Sequence, residues 1–166
     1  QFTTQWPEDR KGGLPVLFHI VNNQYGMGGQ TRGSTMAYGY VSRLGAGVCP
    51  SQMYAERVDG TNPLAVIDGF RRKLELLRDR KGPVLLETVC YRLCGHGTAD
   101  PQRYRTKEEV EAWKAYDPCT LFRRALLENG VCREEELAEL ERGVEELIYR
   151  CTKWAADDGI SPLVDL

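Results

Sequence analysis

With 166 residues, 42% of them hydrophobic, the chain has enough apolar content for a packed core, and 22 basic against 24 acidic side chains leave no overall field to attract nucleic acid. No apolar stretch approaches the roughly 20 residues of a membrane span, and the N-terminus lacks a signal-peptide pattern. Cys49, Cys90, Cys94, Cys119, Cys132 and Cys151 form no CxxC pair and no dense framework, which reads as reduced thiols in a cytoplasmic compartment.

The first element follows Gly12-Gly13. Residues 14–21 are apolar apart from one histidine, the pattern of a strand covered on both faces. This run empties into "VNNQYGMGG", residues 21–29, which is costly to order unless something is held there. The glycine-broken text of residues 36–47 reads as a short helix, and residues 54–58 read as a second strand. Asn62-Pro63 supplies a helix cap and a first-turn proline, after which Ile67, Phe70, Leu74 and Leu77 recur at helical steps up to Lys81-Gly82. The basic clusters at residues 71–73 and 78–81 read as the solvated end of that helix. "PVLLETVCY" is a third strand, so the order strand, helix, strand, helix, strand predicts an α/β fold with a mostly parallel sheet.

Residues 92–105 make a long Gly/Pro-containing loop, closed by Thr106 and Glu109 in the spacing of a capping box. Asp117-Pro118 opens a further helix that ends at Asn129-Gly130. The last helix, near residues 134–155, carries Leu137, Leu140, Val144, Leu147, Cys151 and Trp154 on one face. That stripe reads as core packing, with contact to a partner as the weaker alternative. The composition changes from α/β to all-helical after Arg105, which predicts an α/β portion over residues 1–105 and a helical extension over residues 106–166.

Two loops carry candidate chemistry. Ligands in open parallel sheets sit beyond the carboxyl ends of strands, so the loop at Asn22 and the loop at His96 are expected on one rim. Asn22 and Asn23 offer neutral oxygens suited to magnesium or calcium already balanced by phosphate, although Asn-Asn plus glycines also describes an ordinary tight turn. His96 lies between Gly95 and Gly97 and near Arg92, Arg103 and Arg105, a grouping that can grip an anion and move a proton, or stand as solvated charge. Cys90, Cys94 and His96 have poor spacing for zinc.

"LPVLFHIVNNQYGMG", "RVDGTNPLAVIDGFRRK", "GPVLLETVCYRLCGHGTADPQRYRTKEEVEAW" and "DPCTLF", in this order, resemble the alpha subunit or alpha region of the thiamine-diphosphate-dependent 2-oxo acid dehydrogenases, most nearly the pyruvate and acetoin members. The resemblance runs from Gly12 onward. It implies part of a thiamine-diphosphate-binding α/β domain, followed by helices, within an oligomer that encloses the cofactor between alpha and beta portions. It also implies decarboxylation of a 2-oxo acid, or cleavage of acetoin, with transfer of the acyl group to a lipoyl-bearing acyltransferase.

By matched motif, Asn23 is implied to bind Mg²⁺ through its side chain and Tyr25 through its backbone carbonyl. Gly26 and Met27 complete that cofactor-binding block. Arg92 and His96 match residues near the diphosphate and the reaction centre, with His96 the implied catalytic group.

The sequence departs from the family in three places. "GDG", which carries the family's metal-binding aspartate, occurs nowhere in the 21 residues before Asn22. Gly97 stands where a serine is usual and Gln102 near a second, so the phosphorylation sites of the mitochondrial pyruvate enzyme have no obvious counterpart. "TTQWPEDRKGG" does not resemble the helix that leads into the first strand. The chain is therefore expected to correspond to the C-terminal part of a longer alpha portion, inactive and weak in cofactor binding by itself. A non-catalytic assembly module that retains the fold is the alternative.

Overall fold

A strand built from Val84, Leu85 and Leu86 removes apolar surface from water on both its faces, and this run lies at the centre of the sheet. The computed structural model describes residues 14–37, 39–48 and 52–162. The polar start, Gly12-Gly13 and Cys49 lie outside them. Strands β1 (Leu17–Asn22), β2 (Glu56–Asp59) and β3 (Val84–Val89) form a parallel sheet in the order β1-β3-β2. The register sets Asn22 opposite Val89 on one side of β3 and Asp59 opposite Val89 on the other, so all three carboxyl ends share one rim.

Coverage of β1 differs from expectation. Phe18 and Val21 are exposed because β1 is an edge of the described sheet and β3 alone is enclosed. The histidine of the run packs edge-on against Phe70, ring centroids 4.9 Å apart, and its Nε2 shares a 3.0 Å hydrogen bond with Thr88 Oγ1.

Helix α1 (Pro63–Arg78) connects β2 to β3 and packs on the sheet. Asn62 Oδ1 accepts from the Leu64 and Ala65 N–H groups at 3.1 and 3.3 Å, the cap read from the sequence. The inward face is rotated from the one read: Ile67 and Leu74 are exposed, whereas Phe70 and Leu77 are half-buried and Phe70 meets the β1 histidine. That face turns on the buried Gly69, where an added Cβ would stand 3.3 Å from both Leu86 Cδ1 and Val58 Cγ1. One turn on, Lys73 is buried and not solvated, because its Nζ donates to the Tyr54 carbonyl and pairs with Glu56 at 3.0 Å.

The helix expected over residues 36–47 is a 3-10 turn, Val41–Gly47, preceded by extended backbone at Tyr40. Glycine costs an α-helix about 1 kcal/mol relative to alanine, and this stretch carries Gly45 and Gly47 within the turn. The second strand begins at Glu56, two residues later than expected, since Tyr54 takes a positive φ that ends the preceding turn.

Helices α2 (Lys107–Lys114), α3 (Pro118–Glu128) and α4 (Glu134–Ala155) follow. The chain divides between Phe122 and Arg123 into two compact units. In the first, Trp113 of α2 stacks on Tyr91 beyond β3, centroids 4.8 Å apart and planes 5° from parallel. In the second, Arg123 pairs with Glu134 and Glu141 of α4. The apolar stripe of α4 is not core: no residue of the helix is buried, and Leu140, Val144, Leu147 and Trp154 are 45–64% exposed. No described helix is long and apolar enough to cross a membrane, and Cys90, Cys94, Cys119, Cys132 and Cys151 are free thiols.

Candidate functional site

β1 ends in two successive side-chain-to-backbone turns. Asn22 Oδ1 accepts the Gln24 N–H at 3.1 Å, and Asn23 Oδ1 accepts the Tyr25 N–H at 3.1 Å. Gln24 takes a positive φ, and its side chain donates to the Cys90 carbonyl at 2.9 Å. A narrow return then brings the Thr31 N–H to the Gln24 carbonyl and the Gly26 N–H to the Gly29 carbonyl, both at 2.8 Å, leaving Met27 exposed at the tip.

Arg92 joins this turn to the second loop. Its N–H donates to the Asn23 carbonyl at 3.2 Å, while its guanidinium donates to the Tyr25 and Gly26 carbonyls at 3.1 and 2.8 Å. The two loops predicted to share a rim are thus bonded to each other. The Arg92 fork is spent on main-chain oxygens.

His96 is exposed on the second loop, and its N–H donates to Asp100 Oδ2 at 2.8 Å. Asp100 also accepts from the Gln102 N–H at 2.8 Å and the Tyr104 hydroxyl at 2.6 Å. These bonds, led by that of Tyr104, hold its carboxyl down to about 2. Gly95 is required beside it, because a Cβ there would lie 3.0 Å from the Asp100 Cβ. Arg103 is exposed, whereas Arg105 turns inward and donates to the Arg92 and Cys94 carbonyls and to Gln102 Oε1. The Arg105 guanidinium also lies over the rings of Tyr25, Tyr91 and Tyr104 at 5.4–5.8 Å.

Beneath the turn, the Tyr25 and Tyr91 hydroxyls both donate to Glu109 Oε1. Burial and the bond to Glu109 raise the Tyr25 hydroxyl, and the same causes raise Tyr91. The two hydroxyls in turn hold the Glu109 carboxyl below its ordinary value. The capping box is therefore half formed: Thr106 Oγ1 accepts the Glu109 N–H at 3.1 Å, but the Glu109 carboxylate serves the tyrosines.

On β3, Glu87 is fully buried and accepts from Asn22 Nδ2 and the Ser42 N–H, each at 2.8 Å. Burial alone would raise its carboxyl, but these hydrogen bonds outweigh it and hold the group below its ordinary value. The sequence signal for Glu87 is an acidic residue inside "VLLETV", which needs partners if buried.

Asn23 Oδ1 and the Tyr25 carbonyl each keep a second lone pair beyond the bond described, and such neutral oxygens suit Mg²⁺ whose charge is balanced by phosphate. Among the described residues no group of three or more His, Cys, Asp and Glu side chains is placed to hold a metal. The neutral donors present fit a cation whose charge its own ligand balances. A polar cavity of about 400 Å³ lies against Asn22, Gln24, Tyr25, Arg32, Arg57 and Glu109, but Asn23, Arg92 and His96 do not line it.

The family model described as "Dehydrogenase E1 component" matches residues 11–163. The chain is 35% identical over 154 residues to the pyruvate dehydrogenase E1 component subunit alpha of Rickettsia felis, an overlap of 92% of this chain and 45% of that one. It is 36% identical over 152 residues to the type I mitochondrial subunit alpha of Ascaris suum, covering 90% and 37%. To the subunit alpha of Rhizobium meliloti it is 30% identical over 146 residues, covering 87% and 41%. The chain spans less than half the length of these curated relatives.

Proposed function

Because this chain belongs to the dehydrogenase E1 component family, we propose that it forms the alpha-type half of a thiamine-diphosphate site in a cytoplasmic enzyme that decarboxylates a 2-oxo acid, pyruvate in the first instance, and passes the acyl group to a lipoyl carrier. Its partners in this reading are a beta subunit or beta region, which completes an oligomeric site, and the lipoyl-bearing acyltransferase. Residues 1–105 contribute the cofactor-facing α/β portion and residues 106–166 the helical extension.

The observation that carries the proposal is the Arg92 bridge. One guanidinium binds the carbonyls of Tyr25 and Gly26 and so ties the implied metal oxygens to the base of the loop that presents His96. In this reading Asn23 Oδ1 and the Tyr25 carbonyl would hold Mg²⁺, the Gly26-Met27 backbone would contribute to binding the diphosphate, and Arg92 keeps the carbonyls oriented. Thiamine diphosphate supplies the carbon nucleophile and the electron sink. His96, presented by Asp100, donates a hydrogen bond to charge that develops on the substrate.

These roles separate in steady-state decarboxylation by the chain assembled with its beta partner, assayed with an artificial electron acceptor. Asn23→Ala and Arg92→Ala should raise the thiamine diphosphate or Mg²⁺ needed for half-saturation while leaving most turnover at saturation. His96→Ala should lower saturated turnover by about 10²–10⁴-fold, the usual contribution of a positioned proton donor. Full turnover of His96→Ala at saturating cofactor would remove its catalytic role, and a wild-type assembly indifferent to thiamine diphosphate would overturn the proposal.

A further inference from the structure

Glu87 is a charged residue at the centre of the sheet, with no exposed surface and no part in the roles described above. Its neighbours along β3, Val84 to Leu86 and Thr88, are also buried, so its position is not a consequence of local polarity. Each carboxylate oxygen has its own hydrogen-bond donor. Oε1 takes Asn22 Nδ2 from the end of β1, and Oε2 takes the Ser42 N–H from the 3-10 turn. From β2, Arg57 Nε approaches Oε1 at 3.7 Å, with its guanidinium 4.6 Å from the Tyr40 ring centroid. Three separate segments therefore converge on one carboxylate.

The bond to Asn22 has a directional consequence. An asparagine amide has one oxygen and one nitrogen, and here the nitrogen is fixed by Glu87 while the oxygen accepts the Gln24 N–H at 3.1 Å. Were the amide to flip, both bonds would be lost together. The Gln24 N–H bond closes the first of the two turns, and the second, in which Asn23 Oδ1 receives the Tyr25 N–H, follows directly and leads to the Tyr25 carbonyl that Arg92 holds.

We propose that Glu87 is a positioning residue whose buried carboxylate locks the Asn22 amide and thereby presets the Asn23–Tyr25 oxygens that receive the metal diphosphate. The proposal rests on the thiamine-diphosphate reading for its ligand, but the lock itself exists without cofactor. Its chemistry allows a swap. Glu87→Gln leaves one acceptor for two N–H donors, so its amide can keep Asn22 and oppose the Ser42 N–H, whereas Glu87→Leu removes both acceptors and Asn22→Asp sets carboxylate against carboxylate. The double variant Asn22→Asp with Glu87→Gln restores one donor and three acceptors with the net charge unchanged.

The test is amide hydrogen exchange at Gln24 and Tyr25 in the cofactor-free chain, together with the dissociation constant for thiamine diphosphate in Mg²⁺ for the chain assembled with its beta partner. Glu87→Leu or Asn22→Asp alone should speed exchange at these two amides by roughly 10- to 100-fold, the range for losing a hydrogen bond to a charged group, while α1 amides keep their rates. The same singles should weaken cofactor binding by about tenfold or more, and the double variant should recover both readouts. Uniform acceleration across the sheet, no acceleration at Gln24 and Tyr25, or a double variant no better than the singles would overturn the lock. Selective loss and recovery of protection in a protein that binds no thiamine diphosphate would sustain the lock and sink the cofactor reading instead.

Discussion

Asp100 takes three hydrogen bonds within five residues of chain, and its carboxyl, held at about 2 against an ordinary 3.8, is ionised at every physiological pH. A carboxyl whose folded value is depressed stabilises the folded loop above its unfolded value and loses that contribution as pH falls through the folded one. The His96 loop should therefore stay anchored at pH 5 and release between about pH 4 and pH 2. A ¹³C titration of the Asp100 carboxyl should inflect near pH 2, and the His96 amide shift should move with it; an inflection at 3.8 with the His96 amide unmoved would remove Asp100 as the anchor. Single residues were legible in the sequence only where the signal is local. The turns at Asn23 and His96 are local: the Asn23 side chain accepts a backbone N–H two residues on, and the His96 N–H donates to a carboxylate four residues on. The partners of Glu87 and Glu109 lie 65 and 84 residues away at Asn22 and Tyr25, so in the sequence one looked like part of a strand and the other like half of a cap.

At the scale of elements, starts and stops were legible because capping is short-range. Asn62, Thr106 and Asp117 each bond an N–H in the first turn of the helix that follows. Which face of a helix turns inward was legible only in part, at Phe70 and Leu77, since a glycine carries no hydrophobic signal and the close approach at Gly69 rotates the face of α1. Gly69→Val should consequently destabilise the chain by about 1–3 kcal/mol, the usual cost of overpacking, although valine is the better helix former. Urea unfolding followed by circular dichroism measures this, and an unchanged midpoint would mean that α1 tilts away from Leu86 and Val58 at no cost. The strand order has a similar explanation. The apolar runs of β1 and β3 look alike in sequence, but only β3 is flanked on both sides, and neighbours are a property of topology.

At the scale of the whole molecule, apolar surface stands uncovered in each of the two units. In the first, β1 is an edge of the sheet formed by the described residues, with Phe18 and Val21 exposed, a form of surface that templates further strands. In the second, Leu137, Leu140, Val144, Leu147, Cys151 and Trp154 recur at alternating steps of three and four, the seven-residue repeat that keeps one seam facing a helical partner along its length. Four of these side chains are 45–64% exposed, and the charged residues of α4 occupy the other faces. Water contact along such a seam is unfavourable by roughly 25 cal/mol for each Å² of apolar surface, and association removes it. The isolated chain should therefore gain mass with concentration in light scattering. Replacing Leu140 and Leu147 together by glutamate should reduce that gain, and with α4 helical and unburied the substitutions should leave far-ultraviolet circular dichroism intact. Loss of association in this variant would locate the contact on α4, while retained association would shift it to the β1 edge, where Val21→Lys is the matching substitution. A strict monomer at every concentration the chain tolerates would show that neither surface is adhesive.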